Sequence, residues 1–407
     1  MEKCSFCNRT IDDVEILIRS KTSNKTYICD KCINLGLEKY QNMKQFMKLL
    51  DTSTSTSTST SKFTPRTIYD KLNEYIIGQD DAKKILSVAI YNHQKRIIDH
   101  TGKIKKSNIL IAGPSGSGKT LLAKTIADII DVPFAIADAT SLTEAGYVGD
   151  DVESILQKLI LAANGDIARA EKGIVFIDEI DKLASSKSRA KAGNRNPTSD
   201  GVQFALLKLI EGSTIAINQP DSNRMAKNKI MFDTTNVLFI CGGAFEGLFD
   251  RKETKSIGFN ASLSTLEDEK EVNTDNLKNY GMKSEFIGRL PIRVKLNELT
   301  KQDLVKILKE PKNSIVSEYK ELFSQDGIDL EITDDALLMI ADIAIDTKIG
   351  ARGLRTIMED IMMDIMFEAP DHPDYNKIVI TEDTIKTKAP IIYTTENIDS
   401  DHELEKI

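Results

Sequence analysis

Tryptophan is absent from the 407 residues and histidine is scarce: His93, His100, His372 and His402 are the four, none at the spacing of a metal site or catalytic triad. Each is read as a packed or solvated side chain rather than a catalyst. No protease triad is visible. No apolar run is long enough to span a bilayer, and residues 1–20 lack the basic start and unbroken greasy segment of a secretory signal. A cytoplasmic location without a membrane partner is the expectation. An excess of positive charge is missing too, since 54 Lys and Arg against 62 Asp and Glu leave a net charge of −8. That balance gives no broad footprint for nucleic acid, which is not expected as the main partner. The length allows two or three domains, and 41% apolar with 29% charged residues is an ordinary soluble composition.

What is present begins with cysteine. Cys4 and Cys7 form one Cys-x-x-Cys pair, Cys29 and Cys32 a second, with 21 residues between them. Two such pairs supply four thiolates within tetrahedral reach, the arrangement of a structural zinc ion, and in a reducing compartment a disulfide use is disfavoured. With four protein ligands no open position remains, so the expected zinc site holds structure and does no chemistry. Cys241, the fifth cysteine, stands in an apolar run and is read as core. Residues 52–61 then alternate strictly between Thr and Ser. Such a run has nothing to bury, and as a flexible tether it would span ~20 Å.

The most specific stretch is Gly113-Pro114-Ser115-Gly116-Ser117-Gly118-Lys119-Thr120, a full match to the phosphate-binding loop. It lies between the strand-like run Ser107–Ala112 and the helix-spaced run Leu121–Ile130, as that loop requires. The glycines are expected to take positive φ and turn N–H groups towards a polyphosphate, with the helix start adding its dipole. Lys119 would reach the β and γ phosphates of ATP, and the Thr120 hydroxyl would ligate Mg2+. Further on, Ile174-Val175-Phe176-Ile177 ends in Asp178 and Glu179. Asp178 can serve the metal shell, while Glu179 can deprotonate an attacking water, so ATP hydrolysis is favoured over nucleotide binding alone.

Other stretches remain open on the residues alone. Ile76 and Ile77 could wall an adenine ring or be plain core. Tyr147 and Val148 lie in a glycine-flanked loop, a poor core element and a good contact. A basic loop with Arg195 runs from Ser185 to Gly201. Beyond Thr300 the pattern is helical, with Arg352 at a helix start, where an arginine could be aimed at nucleotide phosphates.

Taken jointly these motifs, with Gly-Gln-Asp-Asp-Ala-Lys-Lys, Gly-Tyr-Val-Gly, Phe-Ile-Asp-Glu-Ile-Asp-Lys, Glu-Phe-Ile-Gly-Arg-Leu-Pro and Gly-Ala-Arg-Gly-Leu-Arg, resemble the ClpX family of AAA+ protein unfoldases over nearly all of residues 1–390. The resemblance implies an α/β fold: an AAA+ P-loop NTPase large domain with a parallel sheet, a mostly helical small domain and an N-terminal treble-clef-like zinc domain. The implied boundaries are 1–46 for the zinc domain, 47–66 for the linker, 67–297 for the large domain, 298–390 for the small domain and 391–407 for a tail. It implies a homohexamer that threads protein substrates through a pore into a ClpP-type peptidase, with adaptors or substrates reaching the zinc domain. Tyr147 and Val148 resemble the pore loop that grips substrate, and the loop around Arg195 a second one. Arg289 resembles the arginine finger and Arg352 the small-domain sensor. Ile76 and Ile77 resemble adenine contacts, and Ile257, Gly258 and Phe259 the peptidase-docking tripeptide. Departures are the wider cysteine spacing, Arg224-Met225-Ala226 at the pore entrance, and the Thr-Ser linker. Rivals are another AAA+ motor, an HslU-like unfoldase or a nucleic-acid remodeller, or a nucleotide-sensing zinc adaptor. The zinc knuckles and Gly-Tyr-Val-Gly favour the ClpX pattern.

Overall fold

A computed structural model describes residues 3–5, 7, 9, 10, 14, 16–19, 26–33, 64–99, 101–143, 150–184, 197–218, 229–248, 272–347 and 349–394. The chain forms two compact units, Met1–Lys62 and Phe63–Ile407. No helix among the described residues is long and apolar enough to cross a membrane.

In the first unit β1 (Leu17–Arg19) pairs antiparallel with β2 (Tyr27–Cys29), placing Leu17 opposite Cys29. Ser5 N–H donates to the Tyr27 carbonyl at 2.8 Å, tying the first cysteine pair to β2. Among the described residues of this unit only Cys4 and Cys29 are buried. A module this short can bury little apolar surface, so metal binding would supply much of its folding free energy.

The second unit starts where Thr64 accepts from the Thr67 N–H and Pro65 sits at the first helical position, a favoured start because proline lacks the N–H that would go unpaired there. Helices Pro65–Asn73 and Asp80–Ile98 precede β3 (Ile109–Ala112). Helix Lys119–Ile130, β4 (Phe134–Asp138), the short pair β5 (Leu142–Thr143) and β6 (Asp150–Asp151), and helix Ser154–Ala162 come next. After β7 (Ile174–Asp178) follow helix Pro197–Glu211, the hairpin of β8 (Thr214–Asn218) and β9 (Lys229–Asp233), β10 (Leu238–Gly243) and β11 (Ile292–Lys295). Five strands form one parallel sheet in the order β11-β3-β10-β7-β4.

A parallel sheet covered on both faces needs strands apolar on both sides, which is why β3, β7 and β10 read as continuous apolar runs. Their residues alternate between two cores. Ile109, Ile111, Phe176 and Ile240 pack with Leu86, Ile90, Leu122 and Ile126 of helices Asp80–Ile98 and Lys119–Ile130. Leu110, Ile177, Phe239 and Cys241 pack with Ile155, Leu159, Leu206 and Leu209 on the opposite face. Phe176 is fully buried, and Phe176→Ala would cost ~3–5 kcal/mol through the cavity left behind. Edge strand β4 has one face open and alternates buried with exposed residues.

Past Asn297 a separate core gathers Leu304, Leu308, Phe323, Leu337, Ile340, Leu354 and Met358. Helices Lys301–Lys309, Ile315–Gln325 and Asp334–Asp346 start on Thr300, Ser314 and Thr333, whose side chains accept first-turn N–H groups. This helical region also carries a sheet the residue pattern did not announce. In it β12 (Asp329–Ile332) runs parallel to β13 (Tyr375–Ile380), and β14 (Ile391–Thr394), from the stretch expected to be tail, adds antiparallel to β13.

At two places hydrogen bonds tie this region and its connector to the sheet region. The Gln79 side chain donates to the Asn297 carbonyl at 2.8 Å and accepts the Asn297 N–H at 2.9 Å. Lys312 donates its backbone N–H to the Glu74 carbonyl at 2.9 Å and its ammonium to the Glu74 carboxylate at 2.7 Å.

Candidate active site

The carboxyl ends of parallel strands are where an α/β sheet binds ligands. Here β3 runs into Gly113 and β7 ends at Asp178, with β10 and its terminal Gly243 between them. Gly113 N–H donates to the Gly243 carbonyl at 3.1 Å. Gly116 and Gly118 take φ of 74° and 96°, as a loop folded round an anion requires. Gly113 does not; it is needed for space, because a Cβ there would lie 2.7 Å from the Leu296 Cβ. Helix Lys119–Ile130 opens directly on this loop, so its unpaired N–H groups and dipole face the same spot.

Lys119 donates to the Gly113 and Pro114 carbonyls at 2.7 and 2.9 Å. Burial holds its ammonium below the usual lysine range; nearby Arg352 adds to this while Asp178, Asp181 and Glu179 oppose it. Arg352 is therefore within electrostatic reach of Lys119, carried there by the start of helix Ala351–Glu368. The tip of the loop touches the same segment, since a Cβ on Gly116 would meet the Ile349 carbonyl at 2.5 Å.

Thr120 Oγ1 donates to Asp178 Oδ2 at 3.2 Å. These are the two side chains a magnesium ion would need together. Glu179 follows Asp178 with φ of 55°, a left-handed conformation that non-glycine residues take at a cost and that recurs at functional sites. Asp181, which the residue pattern left without a role, is 5% exposed and accepts the N–H groups of Ala244 and Phe245 at 3.2 and 3.3 Å. Its surroundings in the chain, Asp178-Glu179-Ile180-Asp181-Lys182, give no signal that separates it from the other charges.

Beside the loop lies a cavity of about 420 Å³ whose floor is Pro114–Ser117 and whose walls include Leu299, Leu304, Ala344 and Ile345. An apolar pocket next to a phosphate loop suits an aromatic base. Ile76 is 6% exposed in the core and Ile77 is half-buried; neither is among the residues lining the cavity. The four wall residues lie on apolar helix faces and a connector, where pattern alone cannot separate a pocket wall from core.

Arg289 is at the other end of β3. Its carbonyl accepts from Asn108, the residue before β3, at 3.1 Å, and its guanidinium lies on Glu211 at 2.7 Å. It therefore faces away from the loop of its own chain. Tyr147, Val148, Arg195, Arg224-Met225-Ala226, the Thr-Ser run and Ile257-Gly258-Phe259 lie outside the described residues.

In the first unit the sulfurs of Cys4, Cys7, Cys29 and Cys32 lie within 4.8 Å of one another. Cys4 and Cys32 are 3.8 Å apart and Cys7 and Cys29 3.6 Å. Four thiolates ~2.3 Å from one zinc ion have sulfur-to-sulfur edges of about 3.8 Å, whereas a disulfide needs ~2.05 Å. The donor set and its spacing fit zinc. Contact with the Cys7 sulfur, foremost, pushes the Cys32 thiol up to about 12, so ionising the cluster calls for a bound cation.

Known proteins resolve which AAA+ motor this is. Residues 104–293 match an AAA domain of the Cdc48 subfamily, 299–377 the C-terminal D2-small domain of ClpB protein, and 2–40 the ClpX C4-type zinc finger. A Treponema denticola protein named ATP-dependent Clp protease ATP-binding subunit ClpX is 47% identical over 94% of this chain and 93% of its own length. The chain belongs to the ClpX family. A ClpX of Borrelia duttonii is 45% identical over 98% of this chain and 94% of its own. With the ClpX family come an ATP-binding, ATP-hydrolysing AAA domain and a zinc-binding four-cysteine domain, and the chain is the ATPase component rather than a peptidase. The wider cysteine spacing is accommodated within the ClpX zinc-finger match.

Proposed function

We propose that six copies of this chain close a ring that hydrolyses ATP at each subunit interface, unfolds protein substrates and threads them into a ClpP-type peptidase in the cytoplasm. The observation that carries the catalytic part is the Thr120–Asp178 contact at 3.2 Å with Glu179 adjacent. The loop Gly113–Thr120 binds the phosphates and Lys119 turns from its carbonyl partners to the β and γ oxygens. Magnesium held by Thr120 and Asp178 would neutralise charge developing on the phosphates. Glu179 takes a proton from the attacking water. Arg289, which faces away from its own loop, serves the neighbouring subunit's phosphate, and Arg352 senses the nucleotide from the small domain. The base sits between Leu304 and Ala344, with Ile76 and Ile77, just before helix Asp80–Ile98, as further adenine contacts when nucleotide is bound.

Hydrolysis then moves Tyr147 and Val148, and with them the chain they grip, while the loop of Arg195 supports the grip. Ile257, Gly258 and Phe259 dock on the peptidase, and the zinc domain receives substrates or adaptors. A folded domain resists by ~5–15 kcal/mol, so repeated strokes suffice. The experiment is to incubate the chain with ClpP, ATP and a tagged stable protein, using wild type and Glu179→Gln. Degradation by wild type and ATP binding without turnover by the variant are expected. Brisk hydrolysis by Glu179→Gln would remove that residue from its role, and an intact substrate with normal ATPase would remove the unfoldase reading.

A further inference from the structure

An arginine that acts on a neighbour's nucleotide has to be presented in one orientation, yet a free arginine side chain has much rotamer freedom to lose. Arg289 is not free. Glu211 Oε1 accepts from its Nε at 2.8 Å and its Nη2 at 2.7 Å. Two of the five guanidinium N–H groups are committed by that contact, which sets the plane of the fork and leaves three to donate outward. The two side chains are 54% and 38% exposed, so the pair adds little to stability.

What registers the two residues lies beneath them. Asn108 is 2% exposed, and its amide nitrogen donates to the Ile210 and Arg289 carbonyls, both at 3.1 Å. Ile210 is one residue before Glu211 at the end of helix Pro197–Glu211, and Arg289 caps helix Ser284–Gly288. Each carbonyl is one that a helix end leaves without an intrahelical partner. An asparagine offers two donors on one nitrogen and joins both ends, while its oxygen accepts the Phe239 N–H at 3.3 Å; an aspartate could not donate, and a leucine would leave all three groups unmet. Asn108 leads into β3, whose other end is Gly113, so one strand fixes both the loop that binds this subunit's phosphates and the base of the arginine.

We propose that Glu211 is a positioning residue for hydrolysis at the neighbouring subunit, holding the Arg289 fork in its acting orientation above a platform set by Asn108. This rests on the trans role of Arg289 given above. The test compares full-length Glu211→Ala, Glu211→Gln and Arg289→Ala, alone and mixed with Glu179→Gln subunits. Glu211→Ala should lower kcat about tenfold to a hundredfold, the scale of a misplaced catalytic group, with KM for ATP within about twofold and an unchanged melting midpoint. Glu211→Gln, which keeps an acceptor, should lose less. Mixing Glu211→Ala with Glu179→Gln should restore turnover above the sum of the separate rings, because the second subunit lends the first an aimed arginine. Unchanged hydrolysis by Glu211→Ala beside an inactive Arg289→Ala overturns the role of Glu211 and leaves that of Arg289. A lowered melting midpoint with no restoration on mixing assigns Glu211 to folding and likewise overturns it. Full activity of Arg289→Ala removes the trans reading itself.

Discussion

Asp181→Ala is the substitution whose consequence follows most directly from the contacts around the active site. Its carboxylate accepts the Ala244 and Phe245 N–H groups at 3.2 and 3.3 Å. Phe245 is fully buried, with φ of 50° and its ring 5.3 Å from that of Tyr280. Alanine would leave one buried and one partly buried N–H unmet, ~1–3 kcal/mol for the first and somewhat less for the second. Relaxation of Phe245 from its left-handed conformation would recover part of this, at most ~1–2 kcal/mol. A loss of about 2–4 kcal/mol follows, a fall of roughly 5 to 10 °C in melting midpoint. Asp181→Asn keeps one acceptor oxygen and should lose about half as much. Because Gly243, next to Ala244, accepts from Gly113, the displaced segment should disturb the phosphate loop and lower ATPase as well. Melting curves without nucleotide, read beside steady-state ATPase, test both parts. Asp181→Ala with a wild-type midpoint and wild-type turnover would refute the reasoning.

Three further outcomes are expected. Stripping zinc should unfold the first unit and expose four titratable thiols where the loaded protein shows none, and affinity should fall as pH falls because the ligands must be deprotonated; thiol titration at two pH values checks this. Burial, with Arg96 and Lys106 adding, pushes His93 down to about 3. Unfolded His93 takes its proton near pH 6.5, so the unfolded state binds more protons between these values. Stability is then lost as pH falls through that window, by up to ~1.4 kcal/mol per unit, and His93→Leu should flatten urea midpoints measured from pH 7 to 5. Gly116→Ala combines left-handed strain, ~1–2 kcal/mol, with a Cβ 2.5 Å from the Ile349 carbonyl, and should weaken nucleotide binding at least about tenfold. Gly102→Ala, at φ of 66° with nothing within 4 Å of the added Cβ, should leave binding unchanged.

The legible parts of the fold are those where one chemical demand governs consecutive residues. A phosphate loop needs its glycines, lysine and hydroxyl in a row, a strand covered on both faces needs an unbroken apolar run, and two cysteine pairs announce their geometry. The mixed sheet of β12, β13 and β14 was not legible, because Asp329–Ile332 has the alternation of any half-exposed segment and pairs with a strand far along the chain. Glu211 and Arg289 are 78 residues apart, and nothing in either neighbourhood signals the other. Gly113 illustrates a different limit: glycine was anticipated there for backbone freedom, whereas Leu296 crowds the space a Cβ would fill. Leu304 and Ala344 show the same ambiguity, since a pocket wall and a core residue have identical side chains.

Hydrogen bonds at Gln79 and at Lys312 pin the junction of the sheet region and the helical region. Gln79 grips both polar groups of the Asn297 peptide, and Lys312 is held through main chain and side chain by Glu74. Helix Lys301–Lys309 is locked from its first residue by the reciprocal bonds of Thr300 and Asp303. Between the Gln79 clamp and that locked helix the connector is Glu298 and Leu299, with Leu299 packed on the helical core, so a two-residue strap joins the two bodies. That strap lines the same cavity in which Gly350 meets the tip of the phosphate loop, so a nucleotide entering there would bear on both bodies at once.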